Sequence, residues 1–402
     1  MKEVVILGAG YAGLRALHVL QGASGDFHIT LVDKNDYHYE ATDLHEVAAG
    51  TQPRERISYD IADVVRPQKT TFLQNEVATI DRQNQRVLFT DQTSLSYDYL
   101  IIGLGFESES FGIPGVNENA LEMVDVDSAE NIYHHLLKQM EEYKKTKDPD
   151  LLKIVVCGAG FTGIELLGSL VENRKEFAEL AGVQPEEIKL FCVEAVTRLL
   201  PMFEENLSAY GINNLVKWGV EFLTGKPIKE IKPGVVVYQT DAETGATEEL
   251  SAKTIIWTTG VSGSHVMADS DFSARRGRVM VNQDLSDPDH SNVFVVGDVS
   301  AVLDPATNRP YPTTAQIALK MGYHAAKNCL HLIKGEKTED FHFESLGSVA
   351  SIGNTHAFGL VGKMPVKGYP ASFVKKAIMD RSLFLTGGVK EVLAKGRFDF
   401  YH

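Results

Sequence analysis

Two glycine fingerprints, about 150 residues apart, constrain this chain more than any other feature. The first is GAGYAG, Gly8 to Gly13; the second is GAGFTG, Gly158 to Gly163. Each follows a short apolar run, Val4 to Leu7 before the first and Ile154 to Cys157 before the second. A strand running into G-x-G-x-x-G and then a helix is the pattern of a dinucleotide-binding βαβ unit. The glycines permit a tight turn and let the backbone approach a pyrophosphate, whose charge sits at a helix N-terminus. One such motif is a weak signal. Two, each in strand–loop–helix context, imply two dinucleotides on one chain and electrons passing from one to the other.

The rest of the sequence narrows this further. At 402 residues the chain exceeds a single compact core, so two or three domains are expected. The 44% apolar and 23% charged content is ordinary for a folded protein. A net charge of −15 argues against nucleic acid as the main partner. Cys157, Cys192 and Cys329 form no C-x-x-C and keep no metal-ligand spacing with histidines. That excludes a disulfide framework, an active-site dithiol and a metal site. The chain enters a strand at Glu3, without a signal-like leader or a run of about 18 apolar residues. An intracellular protein with no spanning helix is expected.

At the first site Gly8, Gly10 and Gly13 are joined by Asp33, 20 positions after Gly13, where an acid commonly bonds a ribose hydroxyl. The ligand expected there is FAD, because VVGDVS ends a later buried strand in Gly297-Asp298, placed to hold a ribityl–phosphate chain. The helix opening at Pro312-Thr313-Thr314-Ala315-Gln316 follows soon after and points its N-terminus toward the cofactor. Its proline and threonine also suit a plain cap. At the second site Gly158, Gly160 and Gly163 pair with Glu194, 31 positions past Gly163, with VENRKEFAELAGVQPEE filling the excess. A carboxylate there favours NADH over NADPH, although Arg198 is near enough in sequence to take a 2′-phosphate instead. Glu165 either favours the positive end of its helix or lines the space between nicotinamide and flavin. His38, His45, His134 and His135 show no metal pattern and are taken as surface or structural; Tyr37 and Tyr39 are taken as packing residues.

The tail differs from the body. From Lys363 onward eight basic residues stand against three acidic ones. They interleave with Phe373-Val374, Ala377-Ile378 and Leu383-Phe384-Leu385, and after Gly387-Gly388 with Val389, Val392 and Leu393. An apolar stripe beside a basic face suits a membrane interface, with anionic lipid attracted to the charge. Packing on the body or on a second subunit is the alternative.

These motifs together resemble those of type II NADH dehydrogenase, the single-subunit NADH:quinone oxidoreductase. The resemblance spans essentially the whole chain and includes NDYHYEATDLHE, GAGFTGIE, VEA, VVGDVS, PTTAQIA and the Lys-Lys-containing end. It implies an α/β fold of two Rossmann-like domains plus a C-terminal membrane-attachment region. The segments expected are 1–112 and 266–345 for FAD, 113–265 for NADH and 346–402 for attachment. It implies a homodimer, peripheral on the cytoplasmic face of the cell membrane, that passes two electrons to menaquinone or a similar quinone without proton pumping. By resemblance, Gly8, Ala9, Gly10, Tyr11, Ala12, Asp33, Lys34, Val77, Asp298, Ala315 and Gln316 contact FAD. Gly160, Glu165 and Glu194 serve NADH. Gln316, Ile317 and Glu165 border the quinone, with Lys375 near the flavin and that pocket; Glu165, Gln316 and Lys375 are the expected catalytic set. A soluble NADH-dependent, ferredoxin-reductase-like flavoprotein and a flavin-bearing redox switch are the competing functions.

Overall fold

The first apolar run forms strand β1 (Lys2–Leu7), in which Val4 to Leu7 are fully buried. Helix α1 (Tyr11–Gly22) and strand β2 (Phe27–Asp33) follow. β1 pairs in parallel with β2, and β2 with β3 (Thr70–Gln74). On its other edge β1 pairs with β4 (Tyr99–Ile102). The structure, a computed structural model, describes residues 1–398.

The second fingerprint repeats the arrangement. Strand β5 (Leu121–Glu122) and helix α2 (Val126–Thr146) precede β6 (Lys153–Cys157), α3 (Phe161–Ala181) and β7 (Lys189–Glu194). Helix α4 (Glu205–Lys217), β8 (Val220–Thr224) and β9 (Thr254–Trp257) come next. They build a parallel sheet ordered β5-β9-β6-β7-β8. The chain then returns to the first sheet with β10 (Val293–Val295), giving β10-β4-β1-β2-β3. In both sheets the fingerprint strand is central and the next two strands lie on one side of it. The 21 residues of α3, against 12 in α1, account for most of the extra separation between Gly163 and Glu194.

Helix α5 (Ala315–Ile333) crosses α1 so closely that a Cβ on Gly322 would lie 2.0 Å from the Ala12 carbonyl oxygen. Thr314 caps it, its Oγ1 accepting from the Ile317 amide at 3.3 Å. A three-stranded antiparallel sheet of β11 (Gly347–Ser351), β12 (Ala357–Val361) and β13 (Met364–Gly368) then leads into helix α6 (Tyr369–Lys395). Gly388 breaks α6 with φ +77° and ψ −169°, so the tail is two helical pieces meeting at the Gly387-Gly388 pair.

The tail's charge is not where the sequence pattern places it. Lys375 pairs with Glu165, Lys390 with Asp63, and Arg397 with Asp43 and Glu46; Lys395 donates to the Glu55 carbonyl. Lys367 Nζ lies over the Tyr210 ring, 5.6 Å from its centroid. At least half of the eight basic residues are thus engaged by the body, which supplies acids beneath Lys375, Lys390 and Arg397. Asp399 lies outside the described residues. The apolar half of the pattern does reach the surface: Phe373 is 52%, Phe384 51%, Val389 62% and Leu393 74% exposed. Leu383, by contrast, is buried in the core.

Candidate active site

Within each fingerprint the glycines divide into two kinds. Gly8 has φ +95°, and a Cβ there would lie 2.2 Å from the Gly103 oxygen; one on Gly13 would lie 1.7 Å from the Gly8 oxygen. Gly158 (φ +104°) and Gly163 are enclosed as well, an added Cβ falling 2.9 Å from the Thr259 Cα at the first and 2.0 Å from the Gly158 oxygen at the second. These four are required by the chain itself. Gly10 and Gly160 are different: an added Cβ meets nothing within 4 Å at either. Protein packing does not demand glycine at those two positions; a ligand lying against the backbone does. Both residues stand at the mouth of a helix with no side-chain cap and no acid in its first turn, so amide dipoles face the space.

The acids close each loop. Asp33 Oδ2 accepts from the Ala9 amide at 2.6 Å, and Oδ1 accepts from Asn35 at 2.8 Å. Glu194 Oε2 accepts from the Ala159 amide at 2.7 Å, and Oε1 accepts from Val196 at 3.0 Å. The acid that sequence spacing assigns to a ribose therefore also fixes the loop in each half. Arg198 donates to the Phe203 carbonyl at 3.1 Å, which ties it to its own turn.

A cavity of about 680 Å³ opens at the first fingerprint. Gly8 to Ala12, Asp33, Lys34 and Val77 line it, as do Gly297, Asp298 and Ala318 from the returning segment. This size and mixed lining suit one large ligand. The Asp298 carboxyl is pushed up to about 6 by burial, with the Arg278 guanidinium partly opposing the shift. Tyr37 and Tyr39 also line the cavity. His38 lines it too, although its side chain is buried: its Nδ1 is 2.7 Å from the Ala9 carbonyl and its ring packs against Tyr11 and Tyr59, so it braces the loop. The run YHYE signals that role, a buried histidine with an aromatic on either side. Gly13, Gly163 and Gly158 are absent from the lining, as are Gly160 and Glu194.

The residues expected around the quinone lie elsewhere. Glu165, in α3, is buried and accepts from the Ser351 amide at 3.0 Å, the Ser351 hydroxyl at 3.1 Å and Lys375 Nζ at 2.8 Å. Burial works to raise the Glu165 carboxyl, but Lys375, His45 and the Ser351 amide outweigh it and hold it low. For Lys375, burial opposes the charge, and Glu165 followed by Asp43 restores it and raises the ammonium. His45 sits beside this pair with Nδ1 2.9 Å from the Ser169 hydroxyl, and burial lowers it. His45 is held structurally by Ser169, whereas His38, expected at the surface or in a structural role, also lines the large cavity; His135 contacts the Lys253 carbonyl at 3.0 Å. Gln316 accepts from the Leu346 amide at 2.9 Å and lines a second cavity of about 280 Å³. Ile317 lines a narrow cleft that shares Gly297, Asp298 and Ala318 with the large cavity. Ala315 opens α5 beside that cleft. The three cysteines are free and buried, and burial raises all three thiols. Among the described residues no group of three or more His, Cys, Asp or Glu could hold a metal, and no helix is long and apolar enough to cross a membrane.

Known proteins share this architecture. Residues 2–322 match the family described as pyridine nucleotide-disulphide oxidoreductase. A type II NADH:quinone oxidoreductase of Staphylococcus saprophyticus is 40% identical over 402 residues, covering 99% of both chains. Its counterpart in Staphylococcus aureus is 40% identical over 401 residues, again 99% of each. NDH2 of Plasmodium falciparum, solved with NADH, superposes with a TM-score of 0.85 at 19% identity and full coverage of both chains. The sulfide:quinone oxidoreductase of Aquifex aeolicus superposes at 0.78 with 21% identity, over 100% of this chain and 96% of that one. The chain belongs to the pyridine nucleotide-disulphide oxidoreductases and, within them, to the type II NADH:quinone oxidoreductase family.

Proposed function

We propose that this protein oxidises NADH and reduces a membrane quinone through bound FAD, without pumping protons. The observation that carries this is the duplicated loop whose middle glycine, Gly10 in one copy and Gly160 in the other, faces empty space rather than protein. Two such loops match two dinucleotides, and the 40% identical relatives bear the corresponding name. Bound FAD supplies the two-electron relay between a hydride donor and a quinone. Reduction of a disulfide, which needs a reactive cysteine beside the flavin, is disfavoured, since all three cysteines are buried with raised thiols and none lines the large cavity.

In this proposal segments 1–112 and 266–345 hold FAD, 113–265 hold NADH, and 346–402 attach the protein. Gly8 to Ala12 and the α1 amides receive the pyrophosphate of FAD. Asp33, Lys34 and Val77 flank the adenosine end, and Asp298 and Ala315 the ribityl and ring end. Gly160 and the α3 amides receive NADH, with Glu194 accepting from ribose hydroxyls and repelling a 2′-phosphate. Gln316, Ile317, Glu165 and Lys375 border the quinone. Quinone reduction consumes two protons, and within that group Lys375 Nζ is a buried ammonium hydrogen-bonded to Glu165 Oε1 at 2.8 Å. The protein's own contribution is positioning and a fixed electrostatic field.

The exposed apolar face of α6 supports peripheral attachment to a membrane. The engaged cations leave apolar contact, rather than the tail's summed charge, as the main term. The test is spectroscopic. The purified holoprotein is titrated anaerobically with NADH, then with a short-chain quinone. Loss of the flavin absorbance with NADH and its return with quinone is expected. Bleaching without recovery would leave NADH as donor and remove quinone as acceptor.

A further inference from the structure

The cavity of about 280 Å³ beside Gln316 is unlike the rest of this acidic molecule. Arg15 of α1, Lys320 and His324 of α5, His342, and Arg381 of α6 all line it. No carboxylate does. The chain carries 54 acidic residues against 39 Lys and Arg, and its tail cations Lys375, Lys390 and Arg397 each have a carboxylate within ion-pair distance. Among the described residues Arg15, Lys320 and Arg381 have none. Arg15 instead lies over the Tyr323 ring, 5.2 Å from its centroid, and Lys320 Nζ is 3.5 Å from the Glu344 carbonyl oxygen. Burial lowers Arg15 below its ordinary value, and the like charge of Arg381 lowers it further. Three helices therefore converge cations on one hollow and leave the balancing charge out.

The surroundings say what kind of anion fits. Arg381 lies on α6 between Ile378 and Phe384, three residues to either side, so all three share a helix face. Ile378 and Phe384 are exposed, and Leu385 forms part of the cavity wall. An anion bound here would carry apolar chains along that face. We propose that this cavity binds the phosphate of an anionic phospholipid headgroup, held by Arg15, Lys320 and Arg381, with the acyl chains lying over Ile378 and Phe384. This rests on the membrane-attachment reading above. A quinone ring, being neutral, leaves the three charges unbalanced. Gln316 on the same wall places the lipid next to the proposed quinone residues, so the lipid also fixes the depth of that site in the interface.

The test uses the full-length holoprotein and two kinds of vesicle, phosphatidylcholine alone and phosphatidylcholine with phosphatidylglycerol. The double variant Arg15→Gln with Arg381→Gln should bind the phosphatidylglycerol vesicles about 25-fold more weakly than the unaltered chain, roughly fivefold per cation. Its binding to phosphatidylcholine should be unchanged. Lys363→Gln with Lys367→Gln removes the same charge from exposed tail positions outside the cavity, and should cost less than about threefold. Equal losses in the two double variants would mean diffuse surface attraction and would overturn the site. Equal binding of the unaltered chain to both vesicles would overturn it as well, leaving apolar attachment intact. Failure to bind either vesicle would remove attachment and the lipid site together. Inorganic phosphate, tested without vesicles, distinguishes the remaining source. A rise in Tm that is lost in Arg15→Gln with Arg381→Gln, with no preference for phosphatidylglycerol, would assign a free phosphate ion and overturn the lipid.

Discussion

At the scale of single residues, the buried Glu165–Lys375 pair is the most consequential contact. It spans 210 positions of sequence, joins α3 to α6, and also holds Ser351. Removing one charge leaves the other buried and alone, which costs about 3 kcal/mol or more. Glu165→Gln should therefore lower Tm markedly, and Glu165→Leu with Lys375→Met should recover much of the loss; thermal unfolding of the three proteins checks this. The pH dependence has a definite sign. Glu165 is held below its ordinary value, so its contribution is present above the unfolded-state value of about 4 and fades as pH falls through the lower folded value. Lys375 is raised, so its contribution is complete below about 10 and fades as pH rises through the higher folded value. The stability gap between the native chain and Glu165→Gln should be flat near neutrality and narrow at both extremes. A gap that widened below pH 4 would contradict the pair. The fingerprint glycines give a second contrast. Gly10→Ala has room and should fold while losing flavin, with a Tm near that of the native apoprotein. Gly13→Ala drives a methyl into the Gly8 carbonyl and should fail to fold. Flavin content per folded protein, read from the absorbance ratio, separates the two.

At the scale of elements, α6 shows where sequence patterns stop being informative. The fingerprints, β1, β2, β6 and β7 were legible because strand burial and glycine spacing are local properties. The return of β10 to the first sheet was legible too, since VFVV is apolar without interruption and ends in Gly-Asp. The tail's apolar residues were legible as a stripe, but the partners of its cations were not. Nothing near Arg397 in sequence announces Asp43 or Glu46, which arrive from over 350 positions away. His45 was read only as surface or structural for the same reason, its partner Ser169 lying 124 positions on. Lys375 was reached through the family resemblance alone. Two changes test the kinked geometry. Arg397→Gln uncovers two buried carboxylates and should cost about 3 kcal/mol. Gly388→Ala forces a side chain into φ +77° and should cost about 2 kcal/mol. Both should loosen the end of the chain before the rest, so limited proteolysis should clip residues beyond 388 while the FAD absorbance persists.

At the scale of the whole molecule, the duplication makes the two nucleotide sites separable. The sheets share a strand order and the loops share a carboxylate-to-amide closure, yet each loop is built only from its own half. Damage to one should therefore leave the other working. Gly160 is the place to test this. Its backbone is extended, with φ −69° and ψ −175°, a conformation a β-branched residue adopts readily, and an added Cβ meets no protein atom. Gly160→Val should fold normally and keep FAD, since nothing in the first loop touches it. Its isopropyl group would occupy the space claimed by the NADH pyrophosphate. NADH affinity should fall at least about 100-fold, near 2.7 kcal/mol. Electrons delivered by dithionite instead of NADH should still reach a quinone at the native rate, because that half of the reaction does not use α3's first turn. Stopped-flow absorbance after dithionite reduction, followed by mixing with quinone, measures this. If quinone no longer reoxidised the variant, the two halves would be coupled through the loop itself, and two nucleotide loops acting independently on separate sheets would be the wrong description of this protein.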